Sequence, residues 1–492
     1  MSLEIKINGV RVNIPDKQTI AYNLSNFEIT SLANRKLNYT NSFQIPREGN
    51  ELVFGFASDP TTAQTVPYAA LSIDVTVDGF KIISDGSAFI ESFEDGKYNV
   101  QITDNKDEIN AMKAQSLKTM YSGDSILIND AAASTVEFQD FLVSTTGFRF
   151  DIIMNDLHIA EAAAPEEYIW DTDSDNISVF VKTVFEKYAT DNGITFAGDL
   201  WIDTYFEELR MLCYYCTIHY SSGDHYLTNI QIDKTHSFHD LLIAVLQIFG
   251  ATYKISGTTI TLSKLDNFSL TTYVDLSGKT IKVNKKTFTI PGTGQKNHLR
   301  YKTGDNADKD MNQTVIDSNN LNTPYDVDLI NYDAKVFPLL LLDMYSGYTD
   351  EYSIYIKNNT GKYSGATDFD RPLTDFVFLR DSTEVYFAGV DISWTDDRKS
   401  LVTYTNVLSV PLCTYFNSAS EYAVLADMLY NPVFYEVEMQ LNIFDIFYFD
   451  NLKFVFIKEL GGLFYVNSIK DYLLNSDDKS ATVELIKINS AP

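Results

Sequence analysis

The chain opens and closes on short alternations of apolar and polar residues punctuated by turn dipeptides. Near the start, "LEIKINGVRVNI" reads as a hairpin with Asn8-Gly9 at its turn. The stretch "IDVTVDGFKIISDGSAFIESFEDGKYNVQIT" adds a second hairpin at Asp78-Gly79 and further strands around Asp85-Gly86 and Asp95-Gly96. Turns at intervals of roughly ten residues are those of a sandwich or small barrel, so residues 1–112 read as a β domain. At the other end, "NIFDIFYFDNLKFVFIKELGGLFYVNSIKDYLLNSDDKSATVELIKI" reads as a strand-rich meander. Gly461-Gly462 and Asn475 to Lys479 supply its turns, and a strand from Thr482 to Ile488 closes it.

The middle changes period. Phe180, Val181, Val184, Phe185 and Tyr188 recur at helical spacing, with Asn176 as the expected N-cap and Gly193 as the stop. Leu241, Leu242, Val245, Leu246 and Phe249 repeat that spacing behind a Ser237 cap with Asp240 at the capping-box position, and Gly250 ends it. Each helix leads into a similar strand, "GITF" from Gly193 and "GATY" from Gly250. The second strand continues through Ser256-Gly257 into "TTITLSKL", so the segment predicts a duplicated helix-plus-hairpin unit. A third helix is expected from a Ser418 cap, with Glu421 at the box position, to Tyr430 before Asn431-Pro432.

Between these lie polar connections. Asp151 to Asn176 is acidic and irregular, and Gly292 to Thr323 is the least hydrophobic stretch, a candidate extended arm or loop. The resulting partition is a β-barrel or sandwich over 1–112, an acidic connection over 113–175 and an α+β region over 176–290. A polar arm over 291–325, a connecting segment over 326–375 and a C-terminal β-barrel with one helix over 376–492 complete it. The fold class is mainly β with α+β insertions, multidomain.

Four stretches of the chain resemble known ones. "NRKLNYTNSFQIPREGNELVFGFASD" and "GQKNHLRYK" resemble elements of tail proteins from phages and prophages of Bacteroidetes bacteria. "GGLFYVNSI" followed by "TVELIKI" resembles the closing hairpin of the C-terminal barrel of phage tail-tip hub (tail-associated, Tal-like) proteins. The helix-plus-hairpin units resemble insertions of the phage hub and late-control proteins. The resemblance implies a structural virion protein, not an enzyme, that is synthesised in the host cytoplasm and placed in the phage tail. It further implies a homotrimer whose two barrels per subunit, residues 1–112 and 376–492, continue the hexameric tail tube as a pseudo-sixfold ring. Its implied partners are the tail tube or distal tail protein, the tape measure protein, and a spike or fibre protein. It implies no catalytic residue, cofactor or metal.

Composition sharpens this picture. At 492 residues the chain is too long for one core and predicts three or four domains. Hydrophobic residues at 45% exclude a disordered chain, and 31 Tyr with 32 Phe suit a β-rich protein with large interfaces. The formal charge of -29 argues against a protein that grips phosphate backbones, although an acidic lumen would let DNA pass without sticking. Neither a secretory pattern nor an apolar run of the ~20 residues a membrane helix needs is visible, so the chain reads as soluble. Three cysteines fit synthesis in a reducing compartment.

Candidate chemistry is sparse. Cys213, Cys216 and His219 have the look of metal ligands or a redox pair, but "MLCYYCTIHY" reads as a strand in which residues three apart face opposite ways, and Cys413 is alone. Asp171, Asp173 and Asp175 resemble the start of a calcium loop, until Asn176 stands where Gly belongs and Lys182 where the bidentate Glu belongs. Glu166-Glu167 and Glu207-Glu208 are acid pairs of the kind a glycosidase needs, and His236 with His239 lacks the Glu of HExxH. Two alternatives to the tail hub therefore remain: an adhesin that stacks aromatic residues on host glycans, and a glycan hydrolase.

Overall fold

The computed structural model describes residues 2–15, 18–28, 31–35, 38–55, 70–104, 106–129, 147–150, 168–171, 177–213, 215–221, 224–267, 272–290, 293–301, 313–317, 326–332, 378–381, 391–394, 399–403, 409–411 and 423–489. The architecture is mainly β, in several sheets. Three expected hairpins form at Asn8-Gly9, Asp78-Gly79 and Asp95-Gly96. Both central residues of each turn have positive φ, between 49° and 86°, which is the type I′ geometry that matches strand twist. Asp85-Gly86 is different. Strand Phe80–Glu94 runs through it without turning, and the pairing with Leu71–Val77 slips there as a bulge. A Cβ at Gly86 would press on Ile83 and on the Thr103 carbonyl, so the glycine serves close packing.

Among the described residues these strands join a fourteen-stranded sheet that takes strands from both ends of the chain. Eleven of its strands run in the order Val10–Arg11, Leu3–Ile7, Leu71–Val77, Phe80–Glu94, Lys97–Thr103, Tyr39–Thr40, Ala21–Ser25, Gly462–Leu473, Ser480–Lys487, Phe434–Gln440, Thr280–Thr287, while Phe43–Pro46, Val274–Asp275 and Val455–Ile457 pair off this path. The closing strand expected from Thr482 thus begins at Ser480. Ala21–Ser25 and Gly462–Leu473 form the seam, with Leu24 opposite Ile469. Buried Asn26 reinforces it by donating from Nδ2 to the carbonyls of Val466 and Asn451, both at 3.1 Å. Ile5, Tyr22, Val75 and Tyr98 share one hydrophobic core with Val437, Phe464, Val466 and Leu485, each such side chain stabilising the fold by about 1.5–3 kcal/mol relative to exposure. Among the described residues no strand pair closes this sheet into either of the two expected barrels.

The C-terminal strands are buried on both faces. Phe464 and Val466 face the shared core, while Leu463 and Tyr465 pack into a second core with the middle of the chain. This explains the unbroken apolar run in "GLFYV". The second core holds Val184, Phe185 and Tyr188 of helix Val181–Asn192 and Leu241, Leu242 and Val245 of helix Phe238–Ile248. The Tyr188 and Phe238 rings stack at 3.9 Å. The Ser237–Asp240 capping box forms as expected, and Gly193 ends its helix in the left-handed conformation.

Several expectations fail here for local reasons. Ile177–Phe180 is a strand paired with Phe148–Phe150 and Arg210–Leu212, so the helix starts at Val181 behind Phe180 and not at an Asn176 cap, a residue outside the described ones. The two helix units do not each carry a hairpin. Thr195–Ala197 adds in parallel to Thr259–Lys264, which pairs with Ala251–Ser256, so both helices feed one three-stranded sheet. A helix, Lys106–Ala114, stands at the boundary between the expected β domain and the acidic connection. The chain after it runs beside the second helix entrance, where Phe238 N donates to Gln115 O at 2.8 Å. The polar segment near 292–323 contributes strands Lys296–Tyr301 and Gln313–Asp317, which join Asp326–Tyr332 in a sheet. Ser418 lies outside the described residues. The expected third helix forms as Ala423–Tyr430, and Asp266 accepts from its first amides, Ala423 N at 3.2 Å and Val424 N at 2.9 Å.

Candidate assembly interface

The large sheet has two ends, and they differ. At one, Val10–Arg11 is a two-residue strand with Val10 exposed. At the other, Thr280–Thr287 presents eight residues, with Ile281 51%, Val283 41% and the following Phe288 63% exposed. Among the described residues it pairs only with Phe434–Gln440. Extra residues at Ile281 and Asn284 bulge the strand, and Lys282, Lys285 and Lys286 stand along it. Lys279, just before it, is anchored by both oxygens of Asp445 at 2.6 and 2.5 Å.

Asp445 belongs to a short helix, Ile443–Phe447, where the sequence pattern predicted a strand. Asn442 and Asp445 form a reciprocal capping box there, and local capping overrides the β-type composition of "NIFDIFYFD". Its inward residues Ile443 and Ile446 reach the sheet core, whereas Phe444, Phe447 and Tyr448 stay exposed. Phe444 and Phe447 contact the ring of Phe80 at 4.8 and 5.2 Å, so the helix bridges from the C-terminal strands to the Asp78-Gly79 hairpin. Strands Phe80–Glu94 and Phe434–Gln440 lie far apart in the sheet order, yet the hairpin of the first and the helix after the second meet through aromatic side chains. The result is an apolar patch of four rings beside a basic edge.

The residues singled out for chemistry do not converge. Cys213 follows strand Arg210–Leu212, whereas Cys216 and His219 lie in strand Tyr215–Ser221 of another sheet, so the motif spans a break between sheets and is not one continuous strand. Cys213 is buried. Glu207 pairs with Lys182 at 2.6 Å on the surface, and Glu207-Glu208 closes a short helix capped by Asp203. Asp171 ends strand Tyr168–Asp171. Asp173, Asp175, Glu166, Glu167 and Cys413 lie outside the described residues. Among the described residues no three His, Cys, Asp or Glu side chains gather as a metal-ion group, and no helix is long and apolar enough to cross a membrane.

His236 and His239 have separate structural surroundings. Burial raises the Asp233 carboxyl, but the His236 ring at 2.8 Å and the backbone amides of His236 and Thr235 outweigh it, and the carboxyl ends below its ordinary range. Burial and then Lys113 hold the His239 imidazole below its usual range, against the pull of Asp240. Both histidines thus belong to the entrance of helix Phe238–Ile248. The seam asparagine Asn26 and the ring cluster were missed from sequence. The Asn442-x-x-Asp445 spacing was the one signal that could have exposed the short helix.

No family model matches the chain, and no curated protein matches it. Solved structures to which the chain shows a likeness include the 43 kDa tail protein of prophage MuSo2 from Shewanella oneidensis, at 8% identity and TM-score 0.41 over 99% of this chain and 98% of that one. Prophage tail protein gp18 from Listeria monocytogenes is similar at 7% identity and TM-score 0.39, over 100% of this chain and 96% of that one. A chain of the Francisella PdpA-VgrG complex follows at 9% identity and TM-score 0.36, over 100% of this chain and 59% of that one. With TM-scores below 0.5, these likenesses assign no function.

Proposed function

We propose that this chain is a structural subunit of a phage tail, placed at the tail tip or baseplate hub. The observation that carries the reading is the large sheet. Two segments resembling phage tail proteins lie far apart in sequence and meet in it: Tyr39–Thr40, from "NYTNSF", and Gly462–Leu473, from "GGLFYVNSI", flank Ala21–Ser25 on either side. Asn41 Nδ2 donates to Asp471 Oδ1 across them at 3.2 Å. A sheet whose edges are unpaired among the described residues, with exposed rings beside one of them, suits a part that completes itself against neighbours.

In this reading the chain is a homotrimer, with residues 1–112 and 376–492 supplying two barrel-like units per subunit to a ring. The tail tube or distal tail protein binds above, a spike or fibre below, and the tape measure protein ends at the ring. The formal charge of -29 repels DNA that passes through. Immunogold electron microscopy of particles from the producing culture tests the assignment. Label confined to the tail tip supports it, and label on no particle refutes it. Label on peripheral fibres would favour recognition of host glycans, for which the exposed Phe444 and Tyr448 rings offer a stacking surface.

A further inference from the structure

We infer that the edge of strand Thr280–Thr287 left unpaired among the described residues receives an extended strand from a separate partner protein, and that this strand carries an acidic, an apolar and an acidic residue in succession. The pattern follows from the rows of side chains that cross the sheet and stop at this edge. The central row runs Ile469, Val483, Val437, Val283. Its first three members are buried, whereas Val283 is 41% exposed, so the row lacks only its outer cover. On either side the rows end in lysine: Ser468, Glu484, Glu436, Lys285 in one, and Lys470, Thr482, Glu438, Lys282 in the other. A further strand would set residues directly opposite Lys285, Val283 and Lys282, and opposite charges stabilise such pairs while like charges destabilise them.

Lysines and bulges also protect sheet edges from indiscriminate pairing. Protection alone leaves no reason for Ile281, Val283 and Phe288 to be exposed along the same edge. Charge that rejects the wrong strand together with apolar contact that holds the right one is the arrangement of a selective strand acceptor. The other end of the same sheet does not fit as the donor, because Val10–Arg11 is two residues long and basic. The inference does not depend on the tail assignment.

The test uses the full-length protein and a labelled peptide FYEVEMQ, the sequence that already pairs with this strand from its inner side as Phe434–Gln440. Two controls accompany it: FYKVKMQ, and FYEVEMQ with alternate amides N-methylated, which keeps the charges and blocks the hydrogen-bonding edge. Fluorescence anisotropy should show the glutamate peptide binding at least tenfold more tightly than either control. The double variant K282E/K285E should reverse the preference toward FYKVKMQ, with circular dichroism confirming its fold. If that variant does not fold, the three peptides on the unaltered protein still decide. Equal binding of the peptides, or no binding of FYEVEMQ at millimolar concentration, overturns the proposal. An oligomer of the protein alone that FYEVEMQ disperses also overturns it, by assigning the edge to a second copy of this chain.

Discussion

Replacing Asn26 by alanine tests whether the two ends of the chain form one structural unit. The Asn26 side chain is 4% exposed, and its amide donates two bonds of 3.1 Å to the carbonyls of Val466 and Asn451. Alanine removes both donors and leaves the backbone bond from Asn26 N to Asn467 O in place. A buried polar group left unsatisfied costs about 1–3 kcal/mol, so with partial relaxation the two carbonyls together cost about 2–4 kcal/mol. At 1.4 kcal/mol per factor of ten, the opening equilibrium of the seam should rise roughly 30- to 700-fold. Hydrogen exchange with mass spectrometry reads this directly. Amides of Ala21–Ser25 and Gly462–Leu473 should lose protection together, while those of Thr259–Lys264, in another sheet, keep theirs. Loss confined to one of the two strands, or a change below tenfold, would refute the seam as a cooperative element.

Other perturbations follow from single sites. Gly198 has φ +106°, and a Cβ there would overlap the Leu262 carbonyl oxygen, so Gly198→Ala should lower the thermal midpoint by several degrees or abolish soluble expression. Asp266→Ala removes the acceptor for the first amides of helix Ala423–Tyr430 and should cost about 1 kcal/mol in urea denaturation, with Asp266→Asn recovering part of it. The folded Asp233 carboxyl lies below its ordinary value of 3.8, so its charge contributes stability that is present above that value and lost as pH falls through the lower folded one. Melting curves from pH 5 to pH 3 should therefore show the difference between Asp233→Asn and the unaltered protein shrinking toward the acid end. His239 is depressed in the folded state, so the unfolded chain takes up its proton first as pH falls through about 6.5. His239→Gln should accordingly flatten the loss of stability below that pH, as read by thermal melts.

The sequence by itself determined what is encoded within a few residues. Asn8-Gly9, Asp78-Gly79 and Asp95-Gly96 made their hairpins because both central positions must take positive φ and these residues tolerate it. Ser237 with Asp240, and Gly193, placed helix ends through bonds that close within one turn. Such signals misled where a competing partner lay elsewhere. Phe180 opens the helical spacing but ends a strand, Ile177–Phe180, that pairs with two others, and "NIFDIF" has strand composition but is caught by its own capping box. The sheet edge was not legible, since the exposure of Val283 depends on what lies beyond Thr280–Thr287 and not on its own letters. Only the tertiary structure decided that residues 21–25 and 462–473 share a seam, because a strand's hydrogen bonds specify an extended neighbour but carry no address for it. The choice fell to two-sided burial of the C-terminal strands and to the Asn26 amide, contacts that exist once the chain ends have met.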